Sequence, residues 1–214
     1  MYRHVFWDLG GTLVDTYPAL DAALADVVRS HGLELLDSEV AMLTRRSTGE
    51  AIAALSGRFD LPESEFEDAE AALKTRWRSA PPPAMPGARE LLRDVSAAGG
   101  LNLVVTHRDR SSAQTLLDGL GLVVDDLIST SDGHPRKPDP QLYLMLMERH
   151  GLDPADCLSV GDRPIDAEAA MAAGMTAATV ESAAAPVDDA AEHSVAHLDD
   201  LRPLLGLDSR PHGA

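Results

Sequence analysis

The chain has 214 residues, of which 44% are apolar and only 4% aromatic, and its net charge at pH 7 is −17. This length suits a core domain with a small insertion. The acidity and the absence of a basic stretch argue against nucleic acids and anionic membrane surfaces as partners.

The single cysteine, Cys157, lies in an apolar run and cannot form an intrachain disulfide. We expect it to be a small buried hydrophobe, as is usual in a reducing compartment. The first residues lack the basic and then apolar pattern of a signal peptide, and no apolar run approaches the ~18 residues of a membrane helix. These features predict a cytoplasmic protein, and they leave its oligomeric state open.

The first predicted element is a short buried strand at residues 5–7, which ends at the glycine-containing turn that begins at Asp8. The next stretch has helical spacing throughout and no period-two alternation. It predicts four helices, which cover residues 18–31, 37–43, 48–55 and 63–79. Because this block interrupts the chain after the first strand, we expect residues 16–80 to form an inserted all-helical cap domain.

A proline cluster at residues 81–86 separates this block from an alternation of helices and strands. The predicted helices are 88–95, one capped by Ser111 and Ser112, 140–150 and 165–173. The predicted strands are 101–105, 127–128, 157–160 and a final one at 175–180. Residues 181–193 and 208–214 have the composition of loops. Such alternation predicts an α/β, Rossmann-like three-layer core with a parallel sheet, formed by residues 1–15 and 81–214.

Polar residues follow several predicted strands, namely Asp8, Thr106 and Asp162. In parallel sheets, ligands bind beyond the carboxyl ends of the strands. We therefore expect these three side chains to lie near one another at a binding site.

Four segments in order resemble the motifs of the haloacid dehalogenase-like superfamily. Residues 7–15, with the sequence WDLGGTLVD, resemble its first motif, which is usually D-x-D-G-T-[LV]. Thr106 ends a strand as the second motif does, Lys137 in RKPDP resembles the third, and residues 161–166, GDRPID, match the fourth motif, G-D-x-x-x-D. The resemblance covers residues 1–180 and is greatest to the phosphoglycolate phosphatase and β-phosphoglucomutase branch. It implies a Mg²⁺-dependent hydrolase, a phosphatase that acts on a small phosphorylated metabolite.

The chemistry of the metal and the nucleophile follows from the residue types. A carboxylate such as Asp8 can attack phosphorus and form an aspartyl phosphate. Asp8 and Asp162, with the backbone carbonyl of Gly10, offer the hard oxygen ligands that Mg²⁺ prefers. Asp166 is expected to be a further ligand or to orient a metal-bound water.

The phosphoryl group needs cations and hydrogen-bond donors. Lys137 is expected to neutralise its charge and Thr106 to add a hydroxyl donor. The remaining candidate substrate-binding residues are Gly11, Thr12, His107, Arg108, Arg45 and Arg46. The last two fall where the family's cap presents a specificity loop, but they are equally typical of helix C-terminal charges.

The first motif departs from the family pattern at Gly10, where phosphatases of this class have an aspartate that acts as general acid and base. Its loss typically costs ~10²–10⁴ in rate. Three interpretations remain: a substitute acid/base, either Asp15 or His107; a substrate with a good leaving group, such as an acyl phosphate; or a weakly active or inactive relative that binds a phosphorylated metabolite or a partner protein.

Two other chemistries of the superfamily also dispense with that aspartate. Haloacid dehalogenases need no metal, so the presence of Asp162 and Asp166 disfavours that activity. Phosphonoacetaldehyde hydrolases use a cap lysine for a Schiff base. Lys74 is the only lysine in the predicted cap, and its position in the fourth predicted helix disfavours this activity as well.

Overall fold

The structure is a computed structural model that describes residues 1–181 and 191–209. Within these ranges, six parallel strands form one sheet in the order β3-β2-β1-β4-β5-β6. The strands are β1 (His4–Trp7), β2 (Asn102–Thr106), β3 (Asp126–Ser129), β4 (Cys157–Gly161), β5 (Thr176–Val180) and β6 (His193–Val195).

Eight α-helices are present in the same described ranges. They are α1 (Tyr17–Ser30), α2 (Asp37–Thr44), α3 (Thr48–Phe59), α4 (Glu63–Arg76), α5 (Ala88–Ala97), α6 (Arg110–Leu120), α7 (Gln141–His150) and α8 (Pro164–Ala172). None of the helices in this part of the chain is long and apolar enough to cross a membrane.

The register of the sheet brings the predicted polar residues together at the carboxyl ends of the strands. Strand β1 lies between β2 and β4, and Trp7 is paired with Val104 on one side and Val160 on the other. Strands β2 and β3 thus lie on one side of β1, and β4, β5 and β6 lie on the other. This reversal of the strand order at β1 creates the crevice where parallel sheets bind ligands. Asp8 follows β1 directly at this point.

Alternating side chains of the sheet enter two apolar cores. Val5 and Trp7 pack with the core that contains α5 and α6, whereas Phe6 packs with the core of α7 and α8. The first core continues into the helices α1–α4, through residues such as Leu24 and Phe66. Both faces of the sheet are thus covered, as a fully parallel sheet requires.

The helices α1–α4 follow β1 without an intervening strand, and the chain from residue 8 to residue 87 is described throughout. Local signals account for their ends: the Ser47 hydroxyl accepts a hydrogen bond from the Glu50 N–H at the start of α3, and Asp60 in a left-handed conformation ends it. The predicted fold class is confirmed, including the helical insertion. The exact domain bounds, 16–80 for the cap, stay a prediction.

Three details of the predicted elements were wrong. Residues 175–180 are not the final strand, because β6 adds to the sheet edge beyond β5. Helix α4 ends at Arg76, three residues early, in a turn. The cap of α6 is Asp109, whose carboxylate accepts from the Ser112 N–H at 2.9 Å. Of the segments predicted as loops, residues 182–190 and 210–214 lie outside the described residues.

Candidate active site

The structure brings Asp8, Lys137 and Asp166 into direct contact. The Lys137 ammonium donates to Asp8 Oδ1 at 2.6 Å and to the Val105 carbonyl at 3.1 Å, and it also contacts the Asp166 carboxylate. All three side chains are buried. Because an unpaired buried charge is very unfavourable, this ion-pair cluster holds each group in a fixed place.

Asp162 completes a group of three carboxylates. Asp8, Asp162 and Asp166 each offer an oxygen, and these oxygens lie within 4.8 Å of one another. Asp162 is oriented by two donors, the Tyr17 hydroxyl at 2.7 Å and the Thr12 hydroxyl at 3.3 Å. Gly11 makes room for this arrangement, because a Cβ there would lie 2.6 Å from Asp162 Oδ2 and closer still to the Tyr17 ring.

Burial and neighbouring charges shift the pKa of each of these groups. Burial, followed by the charges of Asp8 and Asp166, raises the pKa of Asp162 to about 7. Burial also raises the pKa of Asp8 despite its contact with Lys137. For Asp166, burial is outweighed by Lys137 and Arg163, so its pKa is lowered. The site concentrates more negative charge than the protein alone neutralises, which favours a cation.

Asp8 and Lys137 line a cleft of about 860 Å³. Asp162 and Asp166 are buried next to them and do not line the cleft. The segments at the carboxyl ends of the strands contribute one wall, which includes Asp8, Gly10, Thr106 and Arg163. Helices α2 to α4 contribute the other wall. The opposite wall includes Arg46, Ser47, Thr48, Glu50, Glu67, Glu70 and Lys74. A small molecule in this cleft would contact both the sheet edge and the helical insertion.

The predicted residues after β2 also border the cleft. The Thr106 hydroxyl oxygen accepts from the Arg108 N–H at 3.1 Å, so its own proton is available to a ligand. The Arg108 guanidinium lies 4.9 Å from the centre of the Trp77 ring and donates to Ser112. His107 Nε2 accepts from the Lys137 N–H at 2.9 Å. Burial and then the charge of Lys137 lower the pKa of His107 to about 3.

The two predicted cap arginines are placed differently. Arg46 lines the cleft, with most of its side chain exposed. Arg45 is absent from the cleft lining; its guanidinium lies 3.5 Å from the centre of the Tyr17 ring and 3.4 Å from Asp21. Gly11 and Thr12 likewise lie behind Asp162 and not on the cleft surface. Substrate binding by Arg45, Gly11 and Thr12 stays a prediction, but their contacts point to support of the site.

Sequence reasoning missed two residues that border the carboxylates. Tyr17 reaches Asp162 from the start of α1, and Arg163 approaches both Asp8 and Asp166 from the start of α8. The second stands inside the GDRPID segment, so its proximity to the site was available from the motif. Nothing in the sequence links Tyr17 to a residue so far along the chain.

A family profile described as haloacid dehalogenase-like hydrolase matches residues 2–174. The chain belongs to the haloacid dehalogenase-like hydrolase family. The matched region contains the whole carboxylate group as well as Lys137, and it runs from before β1 to the end of α8. The site therefore lies entirely within the part of the chain that defines the family.

Similar proteins indicate the branch of the haloacid dehalogenase-like family to which the chain belongs. It is 32% identical over 187 residues to a phosphoglycolate phosphatase of Rhodospirillum rubrum, covering 82% of this chain and 78% of that protein. It is 30% identical over 177 residues to hexitol phosphatase A of Escherichia coli K12, covering 78% of each. A haloacid dehalogenase family hydrolase of Deinococcus radiodurans, solved with bound phosphate and sodium, aligns with a TM-score of 0.81 at 25% identity over 96% of this chain and 95% of that one. The protein is an enzyme of the phosphoglycolate phosphatase-like branch.

Proposed function

We propose that the protein is a Mg²⁺-dependent phosphatase that acts on a small phosphorylated metabolite through an aspartyl phosphate on Asp8. One observation carries this proposal: Asp8 and Lys137 line one cleft, and the carboxylates of Asp162 and Asp166 are buried directly beside them. A carboxylate nucleophile, a cation and a metal-binding group are the parts that phosphoryl transfer needs. We also propose a cytoplasmic location, which the lone buried cysteine supports.

The carboxylate group fits Mg²⁺. Its oxygens are hard ligands that lie within 4.8 Å of one another. Oxygens that share one Mg²⁺ are at most about 4.2 Å apart, so small side-chain shifts would bring them onto one ion. Asp8, Asp162 and Asp166 would hold the ion, together with the carbonyl of Gly10, which lines the cleft beside them. When bound, Mg²⁺ would neutralise the carboxylates and polarise a phosphoryl oxygen.

The residues of the chain then have separate roles. Asp8 attacks phosphorus, so that an Oδ–P bond forms while the bond from phosphorus to the leaving oxygen breaks. Thr106 donates its free hydroxyl proton to a phosphoryl oxygen, and Lys137 keeps the nucleophile in place. Water then cleaves the aspartyl phosphate and restores Asp8.

The charge of the cleft suits an anionic substrate. Among the described residues, six of the protein's 18 Lys and Arg residues line it, against five of its 35 Asp and Glu residues. Basic residues are thus concentrated here in a protein of net charge −17. Such a cleft attracts anions against the repulsion of the surrounding surface.

The leaving group limits which substrates react quickly. His107 is a poor substitute acid, because its Nε2 accepts from Lys137 and its pKa is lowered to about 3. Asp15 does not line the cleft. Of the interpretations of Gly10, we favour a substrate with a good leaving group, such as an acyl phosphate, which needs little protonation.

A Schiff-base mechanism has less support. Lys74 does line the cleft, but its ammonium lies 2.9 Å from the Glu70 carboxylate on the same helix. An ammonium paired in this way is not a nucleophile.

The test is phosphate release from acetyl phosphate and aryl phosphates, with Mg²⁺ and with EDTA. We expect release that requires Mg²⁺ and disappears in Asp8→Asn, while Asp118→Asn, which alters an exposed residue of α6, keeps wild-type activity. Release that persists in Asp8→Asn would refute the mechanism. Binding of Mg²⁺ and phosphate without release in any variant would identify the alternative, a catalytically inactive binding protein.

A further inference from the structure

Arg163 is a cation at the active site whose donors are not fully used. It precedes α8, lines the cleft, and its side chain is 13% exposed. Its Nη2 lies 4.0 Å from Asp8 Oδ1 and its Nε lies 3.7 Å from Asp166 Oδ2. Both distances exceed those of hydrogen bonds. The buried Nε has no hydrogen-bond partner among the described residues.

The Lys137 ammonium, by contrast, is surrounded by acceptors of the protein. An ammonium group has three N–H donors, and Lys137 contacts three acceptors: Asp8, Asp166 and the Val105 carbonyl. Two of its donors are used by Asp8 and the Val105 carbonyl, and the third faces Asp166 Oδ1 without hydrogen-bond geometry. Within the described part of the chain, Lys137 and Arg163 are the cations within 4.0 Å of Asp8.

The other cations of the cleft are engaged elsewhere. Arg108 lies over Trp77 and donates to Ser112, and Arg136 faces His107. Arg46 is not hydrogen-bonded to Glu50, which is 3.8 Å away, but its side chain is mostly exposed on the opposite wall, and Asp8 is not among its partners. A buried guanidinium donor without an acceptor is unfavourable, so it indicates a partner that is absent from the protein itself. The planar guanidinium fork matches phosphate oxygens in geometry and charge.

We propose that Arg163 binds the phosphoryl group at the active site and supplies donors in addition to those of Lys137. This inference rests on the proposed function, because it uses the same pocket. It also gives Gly10 a consequence: position 10 adds no carboxylate to the site, so Lys137 and Arg163 are opposed by fewer negative charges than they would be with an aspartate there.

The test measures two affinities by calorimetry, that of Mg²⁺ alone and that of inorganic phosphate at saturating Mg²⁺. In Arg163→Gln we expect phosphate to bind about 10 to 100 times more weakly, the effect of losing hydrogen bonds to a charged group. Mg²⁺ should bind several times more tightly, because a positive charge near Asp8 and Asp166 is removed. Damage to the fold would weaken both affinities, so the opposite signs distinguish a direct role from a structural one.

Two further variants complete the experiment. Arg163→Lys keeps the charge but loses the fork, so its Mg²⁺ affinity should match wild type while phosphate binding is intermediate. Arg93→Gln, an exposed arginine of α5, should alter neither. If wild type binds both ligands and Arg163→Gln changes neither affinity, the inference on Arg163 fails and the proposed function stands. If wild type binds neither, the proposed function itself fails.

Discussion

At the scale of single residues, we expect position 10 to decide which leaving groups the enzyme can expel. Gly10 lines the cleft beside Asp8 and offers no proton. A Cβ at this position would lie 2.9 Å from the Thr16 hydroxyl. A side chain introduced there is therefore accommodated only if Thr16 turns about its own χ1 angle.

Gly10→Asp should raise the turnover of alkyl phosphates by up to about 10²–10⁴, because a general acid would then protonate the leaving alkoxide. Turnover of acetyl phosphate should rise less, since its leaving group needs no proton and only the cleavage of the aspartyl phosphate by water would gain a general base. The measurement is kcat for a series of phosphate esters whose leaving groups differ in pKa. Gly10→Asn is the matched control, with the same shape and no acid. An equal gain in that variant would contradict the role of proton donation.

The residues that sequence reasoning identified share a recognisable setting. Asp8, Thr106 and Asp162 each stand at the end of a buried strand, and Lys137 precedes a proline in a recognisable motif. Parallel register then brings strand ends together, so the convergence was predictable. Arg163 was not singled out, because an arginine before a helix is typical of a solvated surface. Arg45 is the converse case. The sequence made it a candidate substrate-binding residue, but its guanidinium lies over the Tyr17 ring and near the Asp21 carboxylate.

At the scale of elements, the start of α1 connects the helical insertion to the carboxylate group of Asp8, Asp162 and Asp166. Tyr17 is the first residue of this helix and donates to Asp162, which follows β4. Arg45 stacks on the Tyr17 ring from the end of α2 and pairs with Asp21 of α1. The orientation of Asp162 thus depends on packing within the insertion as well as on its own strand.

Tyr17→Phe should weaken Mg²⁺ binding by about tenfold, because groups that orient metal ligands typically contribute 10–100-fold to affinity. The measurement is a calorimetric titration with Mg²⁺. Tyr2→Phe is the matched control. It also removes a tyrosine hydroxyl, but that hydroxyl donates to Thr176 at the start of β5, away from the carboxylate group. Unchanged affinity in Tyr17→Phe would show that Asp162 is positioned without this hydrogen bond.

Most elements were predictable from local pattern, and the exceptions have physical causes. Strand β6 has only three residues, His193–Val195, without an apolar run, and it exists because β5 offers an unpaired edge. The cap of α6 was misjudged because Asp109, Ser111 and Ser112 are all favourable N-cap types. Only the backbone geometry decides among them.

At the scale of the whole molecule, the carboxylate group proposed to bind Mg²⁺ depends on the complete fold. Asp8 lies near the start of the chain, and Asp162 and Asp166 follow about 150 residues later, with the helical insertion between them. An unfolded chain does not hold these carboxylates together. Mg²⁺ should therefore bind only the folded state, and this binding should stabilise the fold by mass action.

Mg²⁺ at 100 times its dissociation constant should stabilise the fold by about 2.7 kcal/mol. For a chain of this size, that corresponds to a rise in Tm of roughly 5–10 °C. Thermal unfolding with Mg²⁺ and with EDTA measures the shift. Asp162→Asn should abolish it and Asp118→Asn should retain it. The same rise in both variants would indicate that the ion acts on the acidic surface and not at this site.

The central position of β1 has a practical consequence for altering the enzyme. Hydrogen bonds to β2 and β4 fix this strand on both sides, so the reacting end of the pocket tolerates little redesign. The facing wall is built from the ends of α2 and α3 and from exposed positions such as Arg46, Glu50 and Glu67. Libraries that aim at new substrates should randomise those positions and leave the strand termini untouched.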